Sequence, residues 1–269
     1  MNMDNILRTD FFNVLPPEFI TSMIVMLIII VLSFVIYHKQ KHYDPLKDSP
    51  KGIVNVTEKG IEIFDNYVTG NMGPDFSNFG GYIMVLGMYI FFGFLVGMTG
   101  FPNFIYLGED SLMNNSHLFS GLSNPFTNIA FPLDIAILTF AITQAIAVKY
   151  SHWGYFKQFI APIPFINLIE MWAPLISLSL RLFGNAFAGF CLSTIVYQAI
   201  DGIAGGWGLV LVPGVMPFFH AYFDVFSGFI QALIFVTLSM MDIAQGAPSI
   251  EQQMEKVSLK NHPQNRNVA

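Results

Sequence analysis

Arg181 stands in the middle of LISLSLRLFGNAFAGF, residues 175 to 190, an apolar run compatible with a helix, and no other arginine occurs between Arg8 and Arg266. On a helix Glu170, Pro174, Ser177, Arg181, Asn185 and Ala188 advance in steps of three or four and share one face, which is polar or small. Leu180, Phe183, Phe187 and Phe190 fall on the opposite face, suited to lipid or to packing. Farther along, His220, Asp224, Ser227 and Gln231 obey the same spacing, and Asp242 continues that stripe eleven residues beyond Gln231. Carboxylates and an imidazole can take up and release protons. An arginine does not give up its proton, so Arg181 suits a fixed positive barrier better than a proton carrier. Holding a charge at mid-bilayer costs roughly 2.5 to 3.5 kcal/mol, so such a group is seldom kept without a partner or a task. Snorkelling does not remove the cost: Glu170 marks the aqueous end of the stripe, and the eleven residues between them span about 16 Å of helix, beyond the reach of the side chain. The remaining bland account is a buried structural pair between Arg181 and Asp224.

The elements that must carry these groups are membrane helices. Of the 269 residues 54% are apolar, 15% aromatic and only 11% charged, far from the balance of a soluble domain. Runs able to cross a bilayer lie at 19 to 37, 80 to 99 and 127 to 148, followed by two longer ones at 163 to 200 and 213 to 245. The first long run would measure about 57 Å as a helix and the second about 50 Å, against ~30 Å of hydrocarbon. Such helices must tilt steeply, bend or end early, with Pro164 placed to start one and Pro174 to kink or divide it. The expectation is therefore an all-α polytopic membrane protein with about five membrane helices, the last two an antiparallel, strongly tilted hairpin.

Basic residues fall on alternate loops: Lys39, Lys41, Lys47, Lys51 and Lys59, then Lys149 and Lys157, then Lys256, Lys260 and Arg266. Those loops are assigned to the cytoplasm, with the N-terminus, residues 1 to 18, outside and the C-terminus inside. The first apolar run lacks a small-residue cleavage site and reads as an uncleaved anchor. Between 38 and 79, Ile53, Val56, Gly60, Ile63, Phe64 and Tyr67 recur at helical spacing, which suits a surface-lying helix or a loop packed under the bundle. GFLVG at 93 to 97 fits close helix packing. The polar stretch after Gly246, residues 246 to 269, reads as a flexible cytoplasmic tail. Helix direction places Glu170 and Asp242 toward the cytoplasm, Arg181 and Gln231 near the middle, and His220 and Asp224 toward the outside. Asp134 sits in the third span, where a proton-relay role competes with plain hydrogen bonding between helices, and Asp242 could simply mark the cytoplasmic interface. The sequence has no nucleic-acid footprint, and its one cysteine, Cys191, gives no metal-binding spacing, so no cofactor and no metal are expected.

At LISLSLRLFGNAFAG the chain resembles subunit a of the F-type ATP synthase, whose signature is a Leu-rich helix reading SLxLRLFGNxxAG around an essential arginine. FDVFSGFIQALIFVTLSMMDI at 223 to 243 is similar to that family's last helix, where a glutamine in an IQAxIF context faces the arginine. The resemblance implies a stator channel beside a rotating ring of c subunits that carry membrane-buried carboxylates, with peripheral-stalk b subunits and a catalytic head completing the complex. It casts Arg181 as the essential arginine, Gln231 as the facing glutamine, Asn185 as the amide one turn on, and Glu170 as the acid of the cytoplasmic half-channel. Three positions depart from the pattern. Phe190 stands where an acid or histidine usually helps line the outer half-channel, Asp224 where members carry His or Glu, and Asn128 where an acid is common. Relay duty then falls to Asp224, His220 and Asp134. A secondary transporter or anion channel would place an anionic substrate on Arg181, and usually shows repeats that are absent from this sequence. An intramembrane enzyme acting on lipid phosphates would group several bases or metal-ligand carboxylates, whereas Arg181 stands alone.

Overall fold

The computed structural model describes residues 16–41, 52–98, 123–151, 164–204 and 208–261. Helices α1 (Pro17–Lys41), α3 (Gly80–Met98) and α4 (Ala130–Ser151) form from predominantly apolar runs, as helices in lipid do. Between α1 and α3 lie α2 (Ile53–Met72) and a 3-10 turn (Pro74–Phe79). Gly73 separates those two at φ 95°, a left-handed conformation that favours glycine, and its N–H closes α2 on the carbonyl of Thr69. A second 3-10 turn (Pro125–Thr127) precedes α4, with the Asn124 side chain accepting from the N–H of Phe126 at 3.0 Å.

Helix α5 (Pro164–Ala204) is continuous over 41 residues, about 61 Å at the standard rise, and Pro174 lies inside it without dividing it. The last long helical stretch has three parts: α6 (Gly208–His220), a π-helical segment (Ala221–Phe226) and α7 (Ser227–Gln245). It begins five residues before Pro213, where the sequence placed its start, so Pro213 and Pro217 both fall within it. Among the described residues five helices are long and apolar enough to cross a membrane: Glu18–Lys39, Pro74–Gly97, Ala130–Tyr150, Ile169–Ile200 and Gly214–Gln245. The protein is an all-α polytopic membrane protein.

The chain divides into two compact units. The first comprises Met1–Ile30, Met88–Pro132 and Ser179–Leu233. Phe126 organises it, stacked at a tilt on Phe94 at 5.3 Å and edge-on to Tyr89 at 6.0 Å, with all of its own surface buried. Tyr89 in turn shares a 2.7 Å hydrogen bond with Ser22 of α1. The GFLVG glycines are where the chain comes closest: a Cβ at Gly93 would run into the Phe126 ring, and one at Gly97 would lie 2.7 Å from Asn124. Gly228 likewise admits Phe94, whose Cβ and ring would stand 2.7 Å from an added methyl group.

The second unit comprises Val31–Gly87, Leu133–Leu178 and Ile234–Ala269. Its core includes Val68, Met72, Phe76, Ile83, Met240 and Ile243, and the hydroxyl pairs Tyr67–Thr237 at 2.8 Å and Tyr82–Thr139 at 3.2 Å bind its helices. On α2, Val68 and Met72 are buried while Val56 and Ile63 are 71% and 66% exposed, so the stripe read from spacing points away from this core. The flexible tail expected after Gly246 is a correction. Ile250–Asn261 forms helix α8, and Gln253 within it is buried, donating to the carbonyls of Met72 at 3.0 Å and Pro248 at 2.8 Å and accepting from the N–H of Asp75 at 3.1 Å. Residues 262 to 269 lie outside the described residues.

Candidate functional site

Arg181 is carried by α5 in the first unit and is exposed, with no hydrogen bond or ion pair among the described residues. Its neighbours one turn on and two turns on along the same face, Gly184 and Ala188, are exposed as well, while Leu182 and Ala186 are buried on the other side of the helix. The guanidinium therefore stands on a shallow face of small side chains that points away from the unit's own core. A structural pair with Asp224, the bland account of this arginine, is overturned. Asp224 is engaged elsewhere: its Oδ2 accepts from Nδ1 of His220 at 2.6 Å, with both side chains less than one-fifth exposed.

His220 and Asp224 are four residues apart, a spacing that already brings two side chains together on an α-helix, and a π-helical segment follows His220. A π turn widens the helix and shifts the register of every side chain after it, and such turns concentrate at functional sites. Ser227, the first residue of α7, donates from Oγ to Oδ1 of Asn185 at 2.6 Å, so α5 and α7 meet polar to polar at this level. Asn185 Nδ2 is buried and has no partner among the described residues, a donor held ready for a water or an incoming group. Gln231 is half-buried one turn beyond Ser227 and makes no hydrogen bond to Arg181 among the described residues.

In the second unit Glu170 of α5 and Asp242 of α7 line one cavity of about 360 Å³. Thr139, Thr143 and Gln144 of α4 and Gln245 of α7 complete its polar lining. Sequence reasoning missed these four. The signal available was the i, i+4 spacing of Thr139 and Thr143 with Gln144 beside them, but hydroxyls and amides inside a helix look like ordinary packing until a cavity is seen beside them. Ser177 is exposed on α5, and Asp134 is exposed on α4 and is not among the cavity's lining residues. Asn128 accepts from the N–H of Ala130 at 3.1 Å and so caps α4, which gives this amide a structural task where the resemblance expected an acid. Among the described residues no three of His, Cys, Asp and Glu converge to hold a metal ion.

The family profile described as "ATP synthase A chain" matches residues 19–243. The chain belongs to that family. Among its relatives are the ATP synthase subunits a of Mycoplasmoides gallisepticum, 27% identical over 86% of this chain and 78% of that protein, and of Sulfurihydrogenibium sp., 27% identical over 81% and 91%. The ATP synthase subunit a of Enterococcus hirae is 28% identical over 81% of this chain and 87% of its own length. Membership of the ATP synthase A chain family gives the departure at Phe190 a context. The ring is 54% exposed on α5, and Thr194 donates to the backbone carbonyl of Phe190 at 2.8 Å.

Proposed function

We propose that this chain is the ion-conducting stator subunit of a rotary ATP synthase, holding two offset half-channels beside a ring of c subunits in a cell membrane, with its N-terminus outside and its C-terminus in the cytoplasm. Peripheral-stalk b subunits hold it still against the catalytic head. The observation that carries this reading is the placement of Arg181: exposed and unpaired among the described residues, on a face of small side chains, within an apolar helix. Small residues let a second helix approach closely in lipid, and an unpaired guanidinium there calls for an anion from outside the chain. A buried carboxylate on a passing rotor helix supplies it.

The mechanism follows from elementary electrostatics. As a rotor carboxylate approaches, Arg181 favours its ionised form, and the ion it carried leaves toward Glu170 and Asp242. Once past Arg181 the carboxylate faces lipid, where a charge is costly, so it must first be neutralised from the other side. His220 and Asp224 supply that side: their 2.6 Å hydrogen bond allows a proton to be held on either partner and passed on. Asn185, Ser227 and Gln231 form the polar wall that leads from this pair toward the arginine, while Ser177 and Asp134 extend the candidate path. Because Arg181 never deprotonates, the two halves do not join, and ions cross only when the ring turns.

The test is Arg181→Ala in vesicles containing the whole reconstituted complex. ATP-driven ion pumping is lost, read as absence of an ATP-dependent transmembrane gradient, while the complex assembles to its normal level. Coupled pumping at the original rate would refute the assignment.

A further inference from the structure

We infer that α4 forms the third wall of the ion's cytoplasmic exit, with Thr139, Thr143 and Gln144 holding a file of water against Glu170 and Asp242. The inference rests on the stator reading and adds residues that reading does not name. The cavity of about 360 Å³ has room for on the order of ten waters. Among the described residues its lining contains two carboxylates and no Lys, Arg or His, so its field draws cations.

The hydrogen bonds make the wall acceptor-rich. Thr143 donates its single hydroxyl proton to the carbonyl of Thr139 at 3.0 Å, and Thr139 donates its own to the carbonyl of Ile135 at 3.1 Å. The 3.2 Å contact between Thr139 and Tyr82 must then run from the tyrosine to the threonine. Both threonine oxygens are left with lone pairs and no proton to offer. On α5, Pro174 lines the same cavity and lacks an N–H, so the helix supplies no donor at that position to the carbonyl of Glu170. Phe140, stacked on Trp172 at 5.2 Å, pins α4 against α5 beside this surface. Lone pairs facing a water-filled space stabilise hydrated cations and protonated water, which is what an exit for a released positive ion requires.

The test uses the complete complex in inverted membrane vesicles, with Cys191→Ser removing this chain's one cysteine. Thr143→Cys and Gln144→Cys are each exposed to a membrane-impermeant cationic thiosulfonate on the cytoplasmic face, with Leu138→Cys, 53% exposed on α4 and absent from the cavity lining, as the control. The expected result is modification at 143 and 144, inhibition of ATP-driven pumping there, and no modification at 138. Thr143→Val and Gln144→Leu, assembled to the same level, each slow pumping roughly fivefold, the effect of one lost hydrogen bond on a barrier. Cysteines at 143 and 144 that stay unmodified, or that react without loss of pumping, overturn the α4 wall. Arg181→Ala in the same vesicles separates the two claims. If it pumps normally the stator reading itself fails, whereas if it is inactive and the α4 cysteines are inert only the wall fails.

Discussion

At the scale of single residues, the site combines polar groups that are engaged with groups left open. Asn185 accepts from Ser227 yet leaves Nδ2 without a partner among the described residues, and Arg181 has no partner there at all. His220 and Asp224 form a close ionisable pair in the first unit, and the account makes them the proton relay on the outer side. Asp224→Asn keeps the shape and can still bond to His220, but it cannot hold a proton in exchange. ATP-driven pumping therefore falls by about 100-fold, the low end of what a positioned proton-transfer group contributes, while Asp224→Glu retains most of the rate. A pumping assay with Asp224→Asn at the wild-type rate would reduce the pair to a structural one. The stripes that contain these residues were legible from spacing alone, because a period of three and four is imposed by the helix itself. Their engagements were legible only in part: the i, i+4 spacing of His220 and Asp224 allows their contact, but spacing within one helix cannot tell whether Asp224 turns to His220 or to Arg181 on another helix. Thr139, Thr143 and Gln144 were missed for a related reason, as a hydroxyl bonded to its own helix backbone has the same sequence signature whether or not a cavity lies beside it.

At the scale of elements, the long helices were legible and the short polar one was not. Apolar runs of 20 or more residues have one stable form in lipid, and the continuous α5 follows from that in spite of Pro174. Helix α8 is polar, with nothing in its composition to mark it as packed, and it is held through a tertiary contact. Gln253 reaches back to the segment around Gly73, where the absence of a Cβ leaves the Gln253 amide room beside the backbone. Gln253→Leu removes two donors and an acceptor, and the buried carbonyl of Met72 then lacks its hydrogen bond at a cost of about 1 to 3 kcal/mol. Limited proteolysis of the complex should cut between 246 and 261 much faster in Gln253→Leu than in the native chain, with pumping retained. Equal cleavage rates would show that α8 is held by something other than this amide.

At the scale of the whole molecule, the chain belongs to the ATP synthase A chain family, has five membrane-length helices among its described residues, and leaves Arg181 exposed. Composition and the alternation of lysines carried the membrane class and the proposed sidedness, because both are bulk properties that survive without any knowledge of packing. The outward direction of Arg181 was not in the sequence, which is equally compatible with a buried ion pair. That direction is the central claim, and cross-linking tests it most directly. Single cysteines at Gly184, exposed beside Arg181, and at Ala186, 4% exposed on the far side, are paired in turn with a cysteine one turn from the rotor ring's buried carboxylate, in the assembled complex. The account predicts a disulfide from Gly184→Cys that stops ATP hydrolysis until it is reduced, and none from Ala186→Cys. A disulfide from Ala186→Cys with none from Gly184→Cys, in complexes that assemble normally, would contradict it.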